Sequence, residues 1–144
     1  MGFIPQSGSP DDLLRLTKKA RLLIEVAKKE GGPAGMLMKM KLMRAVAVLT
    51  SVRDSISANK QLFPLAEFVL DRTGTLIQIA NAKLSAGQVV WKIGNKRQAE
   101  ISFFDAAKEL ESAVVKLETY LLGNDDGQFR GYDEWWKDPP GGGD

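Results

Sequence analysis

Residues 36–58 read MLMKMKLMRAVAVLTSVRDSISA, and the reading of this stretch decides the fold. Leu42, Ala45, Leu49, Val52 and Ile56 recur at spacings of three and four, which lines side chains along one face of an α-helix. Met36, Met38, Met40, Met43, Val46 and Val48 widen that stripe over much of the circumference, so the helix has to sit between neighbours. At ~1.5 Å per residue it spans roughly 35 Å, a full bundle length. Lys39, Lys41 and Arg44 interrupt it too soon for a bilayer span, which needs about 20 apolar residues. The stretch therefore reads as a core helix. Met-rich faces can serve as adaptable binding surfaces, but these methionines continue an apolar stripe and are expected in the core.

On its N-terminal side, Ser9 is placed to cap an earlier helix, Pro10 suits the first helical position, and Asp11 and Asp12 complement the positive end of the dipole. Leu13, Leu16, Ala20, Leu23, Ile24 and Ala27 give that helix its stripe, with Arg15, Lys18, Lys19, Lys28 and Lys29 on polar positions. Gly31, Gly32 and Pro33 stop it, and so short a link makes an antiparallel helical hairpin. The Gly/Ser/Pro-punctuated residues 1–9 are an arm.

Beyond residue 58, Asn59, Lys60 and Gln61 close the second helix, and Pro64 offers a first position for a third over 65–85. Leu65, Phe68, Val69, Leu76, Ile79 and Ala80 keep helical spacing, against Gly74 and the β-branched Thr73, Thr75 and Ile77. The competing reading of 74–94 is a strand hairpin, GTLIQIAN with QVVWKIGN. Helix is favoured, because an isolated two-stranded hairpin is marginal. Ala86 and Gly87 then open an apolar connector through Gly94 and Asn95, holding Val89, Val90, Trp91 and Ile93, which must cover something. The last helix, 96–122, carries Phe103, Ala106, Ala107, Leu110, Ala113, Val114, Leu117 and Leu121, and Gly123 ends it.

The apolar and charged fractions, 44% and 26%, are ordinary for a globular domain, and 144 residues suit one core. Charge is graded along the chain. Residues 1–60 hold eleven Lys/Arg against five Asp/Glu, 61–122 seven against seven, and 123–144 two against six. Such polarity suits docking onto an acidic partner, internal pairing of tail and body, or a plain solvated surface. With neither Cys nor His, disulfides, thiolate chemistry, Cys/His metal sites and imidazole bases are excluded. No apolar leader with a cleavage site opens the sequence, so a protein working in a translocated compartment is expected to have lost its targeting segment.

Sequence motifs for nucleotide, acyl-transfer, zinc or EF-hand chemistry are missing. Asp105, Glu109 and Glu111 fit a solvated helix face, and Asn124, Asp125, Asp126 and Gly127 fit a turn better than a cation site. The first half is basic enough for phosphate contacts, but lacks interleaved exposed aromatics, which argues against nucleic acid. Phe129, Tyr132, Trp135 and Trp136 in the acidic tail either fold back on the bundle or anchor a partner. With Trp91, Lys39, Lys41 and Arg44 they are the candidate partner-binding residues. No catalytic residue, metal or cofactor is assigned.

Residues 39–56, KMKLMRAVAVLTSVRDSI, resemble the second-helix run (D/K)LRL-x-A-x-x-L-x-x-D(L/V)-x-(T/S)-(V/I) of the PsbQ-type extrinsic subunit of photosystem II. Residues 99–117 are similar to that family's closing AE-x-x-(Y/F)-x-x-(T/A) pattern. The chain departs from the family in lacking a long proline-rich N-terminal segment and in carrying the Trp91 connector and the acidic aromatic tail. The resemblance implies a non-enzymatic subunit in the thylakoid lumen, peripheral to the membrane, that docks onto a larger photosynthetic complex and steadies it. The expectation is an all-α, up-down four-helix bundle over 10–122, an arm over 1–9 and an irregular tail over 123–144. Its function is docking or stabilising within a protein complex; the alternative is a small helical nucleic-acid-binding or adaptor protein.

Overall fold

Ser9 caps the first helix as its position predicts: its Oγ accepts a hydrogen bond from the Asp12 amide at 3.2 Å, and its carbonyl accepts one from the Leu13 amide at 3.0 Å. From that cap the chain, seen in a computed structural model, runs through four helices: α1 (Pro10–Lys29), α2 (Gly35–Ala58), α3 (Ala66–Lys92) and α4 (Lys96–Asp125). A single 3-10 turn, Lys60–Leu62, stands between α2 and α3. The structure describes residues 9–29 and 35–125, apart from the side chains of 124 and 125. The fold is the expected all-α four-helix bundle. Neighbours pair as α1 with α2, α2 with α3, α3 with α4 and α4 with α1, and α2 also meets α4 across the centre.

The core is built from the stripes that the sequence displays. Leu42, Ala45, Leu49, Val52 and Ile56 of α2 are fully buried, facing Leu13, Ala20, Ile24 and Ala27 of α1 and Phe103, Ala106, Ala107, Leu110, Ala113, Leu117 and Leu121 of α4. Two threonines join them. Thr17 and Thr73 are buried because each hydroxyl donates to the carbonyl four residues earlier, Leu13 at 2.8 Å and Val69 at 2.6 Å, so neither polar atom is left unsatisfied. Tyr120 closes the far end: its hydroxyl donates to the Pro64 carbonyl at 2.6 Å and its ring lies 6.2 Å from that of Phe63.

Three boundaries differ from expectation. Residues 74–94 form no strand hairpin, and the apolar connector over 86–95 is instead the last turns of α3, which runs helical to Lys92. Gly87 does not break the helix, because it is buried where the Phe103 ring packs; a Cβ there would lie 2.5 Å from the ring and 3.2 Å from the Ala99 carbonyl oxygen. The true stop is Gly94 at φ +96°, with the Gly94 amide bonded to the Trp91 carbonyl and the Asn95 amide to that of Val90, a Schellman closure. Asn95 then caps α4, its Oδ1 accepting from the Gln98 amide at 3.1 Å. At the other end of α3, Pro64 precedes the helix instead of opening it, and Leu65 is the N-cap. Gly123 does not end α4, which continues to Asp125.

Gly74 also has a packing reason. Arg53 of α2 lies over it, its Nε donating to Thr73 Oγ1 at 3.1 Å and its Nη2 to the Leu70 carbonyl at 2.7 Å. A Cβ at 74 would stand 2.7 Å from that guanidinium. The helix propensity lost at Gly74 thus makes room for a clamp between α2 and α3. In urea denaturation, Leu49→Ala is expected to cost about 2–5 kcal/mol as a buried leucine truncation. Gly87→Ala, which overfills the contact with Phe103, is expected to cost about 1–3 kcal/mol despite alanine's better helix propensity. An unchanged midpoint for Gly87→Ala would place Phe103 elsewhere.

Candidate docking surface

The core face of α2 carries Gly35, Met38, Leu42, Ala45, Leu49, Val52 and Ile56. Each residue turns the helix by about 100°, so Leu37, Met40, Met43, Arg44 and Ala47 fall on the opposite side. There Leu37 is 51% exposed, Met40 56% and Met43 47%. Lys39 and Lys41, each partly exposed, stand on the two flanks of this apolar strip, and Arg44 is exposed at its inner end. The methionines are thus divided. Met38 is fully buried and Met36 packs against the core, as expected, whereas Met40 and Met43 face outward. Among the described residues, α1, α3 and α4 cover α2 on its core side, and none covers the outward side.

The C-terminal turns of α3 meet the start of α2 at this end. The Trp91 ring lies against the Cα of Gly35, where a Cβ would be 2.5 Å away, and Lys96 Nζ stands 5.2 Å from the ring centroid. Trp91 is therefore a partly buried brace between α2, α3 and α4, carried on a helix and not on a connector. The residues beside it do face outward: Val89 is 60% exposed and Ile93 75%. Charge concentrates here as well. The halves of the four helices at this end (20–29, 35–46, 80–92 and 96–110) hold eleven Lys/Arg against four Asp/Glu. The remaining described residues hold seven against eight. The gradient along the sequence becomes a gradient along the bundle axis, because the basic ends of α1 and α2 fold beside Lys92, Lys96 and Arg97.

Leu37, Met40, Met43, Val89 and Ile93 were not singled out as surface by the sequence pattern. For α2 the signal was present: the buried series 42, 45, 49, 52 and 56 runs back to 38 and 35, which leaves 37, 40, 43 and 44 on the far side. Of the other candidates, Phe129, Tyr132, Trp135, Trp136, Asp126 and Gly127 lie outside the described residues. Asp105 and Glu111 are held by neighbouring helices, Asp105 4.0 Å from Lys83 and Glu111 2.8 Å from Lys28. Among the described residues no group of three acidic side chains could hold a metal ion, and no helix is long and apolar enough to cross a membrane.

A cleft of about 250 Å³ between α1 and α4 is lined by Arg21, Ile24, Glu25, Glu111, Val114 and Val115. Its charges engage one another's helices: Arg21 Nε donates to Glu118 Oε2 at 3.2 Å, and Arg21 Nη2 donates to the other carboxylate oxygen. Among its lining residues there is no hydroxyl, thiol or amine nucleophile beside a base, so its chemistry is that of two paired helices.

Met38→Ala is expected to destabilise the bundle by about 2–5 kcal/mol, whereas Met40→Ala should stay within about 0.5 kcal/mol in the same denaturation assay. Equal losses at both positions would show that the outward strip is not outward. Comparison with known proteins adds no name to this surface: no family model, no curated protein and no solved structure matches the chain.

Proposed function

We propose that this chain is a non-enzymatic docking and stabilising subunit of a larger membrane-associated complex, of the kind that its resemblance to the PsbQ-type lumenal subunit of photosystem II implies. The observation that carries the reading is the α2 strip, where Leu37, Met40 and Met43 form an exposed apolar centre edged by Lys39, Lys41 and Arg44. An apolar centre within a polar rim is the anatomy of a protein interface, and methionine adapts its shape to a partner at little cost. The cationic rim favours an acidic partner and speeds encounter at low salt. Rigid helices hold these groups in fixed positions, which limits the ordering entropy lost on docking. In this reading the partner is a protein surface of a photosynthetic membrane complex, the protein is peripheral to the membrane, and its compartment is the thylakoid lumen.

The eleven cations at the α2 end favour a second reading, a nucleic-acid-binding or adaptor protein. Against nucleic acid, phosphates would meet Leu37, Met40 and Met43 at the centre of the basic region and leave them uncovered. The test is co-sedimentation of the full chain with photosystem II membranes stripped of their extrinsic proteins, with and without nuclease. Binding is expected to be insensitive to nuclease and to weaken at least tenfold in Arg44→Glu combined with Met40→Ser, with the thermal midpoint unchanged. Release by nuclease would favour the second reading, and no binding to the stripped membranes would remove the photosystem from the first.

A further inference from the structure

At the opposite end of the bundle, where α2 turns into α3, three large apolar side chains within seven residues face outward: Leu62 is 57% exposed, Leu65 51% and Phe68 50%. Leu65 and Phe68 line an open depression of about 380 Å³ together with Phe63, Pro64, Ala66, Lys60 and Glu67. Those two charges form an ion pair with each other, which leaves the depression itself apolar. Leu65 holds φ +57°, and it is the only described non-glycine residue with positive φ. A leucine there is strained where glycine or asparagine would not be, and its side chain makes no cap for α3. The backbone conformation is held at a conformational cost and leaves an apolar side chain facing outward.

We propose that this depression is the seat of the chain's own C-terminal aromatic segment, whose rings are Phe129, Tyr132, Trp135 and Trp136. The reach of the chain selects the place. α4 ends at Asp125 on this side, and its last turns are already fastened to the corner through the Tyr120 hydroxyl on the Pro64 carbonyl. Phe129 and Tyr132 stand four and seven residues past Asp125, within about 14 and 25 Å even for a fully extended chain. Trp135 and Trp136 are ten and eleven residues past it, within about 36 and 40 Å. The basic strip lies farther off: the 30 residues of α4 rise about 45 Å, and with the start of α2 level with the start of α4 through the Gly35 and Trp91 contact, Lys39 to Arg44 stand about 30 to 40 Å from Asp125 along the axis. Phe129 and Tyr132 thus fall short of the cations around Lys39, and Trp135 and Trp136 reach them only from a nearly fully extended segment, whereas all four reach the leucine corner with chain to spare. The inference does not depend on the proposed function, which concerns the other end.

The full chain carries three tryptophans, and two of them are in this segment, so the variant Trp91→Phe makes tryptophan fluorescence a reporter of Trp135 and Trp136 alone. Its emission is expected to lie to the blue of a peptide of residues 126–144 in the same buffer, with reduced acrylamide quenching, independent of protein concentration. Adding Leu65→Asn, which suits the left-handed backbone and removes the apolar contact, should move the emission to that of the peptide, as should Phe68→Ser. The circular dichroism melt of each variant confirms the bundle. Emission equal to that of the peptide before any change at the corner would overturn the proposal. So would blue emission that survives both substitutions, or that disappears on dilution, since the latter assigns the seat to a second copy.

Discussion

Phe103 can reach α3 only because residue 87 has no side chain, and the packing of α3 on α4 at the cationic end depends on that contact. A glycine inside a long helix costs about 1 kcal/mol relative to alanine. Here the absence of a Cβ lets a phenylalanine ring and the Ala99 carbonyl approach the α3 backbone, which draws α3 and α4 together over their length. Because α3 continues through Gly87 as helix, Trp91 arrives beside Gly35, and the Schellman turn at Gly94 passes directly into the Asn95 cap of α4. A second residue without a Cβ, Gly35, gives the Trp91 ring its place, so two glycines in different helices set how closely α2, α3 and α4 pack at this end.

Polar contacts set register more than they add stability. Arg21 with Glu118 and Lys28 with Glu111 lie seven residues apart on both α1 and α4, in opposite directions, which fits one antiparallel alignment of the two helices. Partly exposed pairs of this kind contribute at most about 1 kcal/mol each. A slip of one helical step would nevertheless break both at once, and would move the apolar stripe off the core. Arg53 does the same between α2 and α3, with its guanidinium held by the Thr73 hydroxyl and the Leu70 carbonyl.

The helices themselves were legible because their stripes are regular: the caps at Ser9 and the series from Leu42 to Ile56 and from Phe103 to Leu121 are where the pattern puts them. The end of α3 was not, because Gly87 and the β-branched Val89 and Val90 weaken a helix in local propensity, and the tertiary contact with Phe103 overrides it. Met40 and Met43 were misplaced for a different reason. An apolar residue on a helix is assigned to the core by its type, but among the described residues α2 has neighbours on one side only, so its phase relative to Leu42 and Leu49 decides. The candidate surface was legible in its cations Lys39, Lys41 and Arg44 and not in its apolar centre. The clustering of charge at one end needed the antiparallel layout, which brings residues 28, 39, 92 and 96 together from distant parts of the chain.

The two ends of the bundle therefore differ in kind. One is cationic around an adaptable apolar strip, suited to an acidic protein surface; the other is close to neutral among the described residues, with an apolar depression beside the end of α4. The description of the cationic end requires that α3 run unbroken to Lys92, since a flexible connector from residue 86 would free Trp91, detach Val89 and Ile93 from their positions and unseat Phe103. Amide hydrogen exchange of the full chain, read residue by residue across 84–95, tests this most directly. The structure predicts that the amides of Gly87, Gln88, Val89 and Val90 exchange as slowly as those of the middle of α3, with rates rising only at Ile93 and Gly94. Exchange of Gly87 to Val90 at the rate of an open chain, beside a protected segment ending near Ser85, would contradict the account.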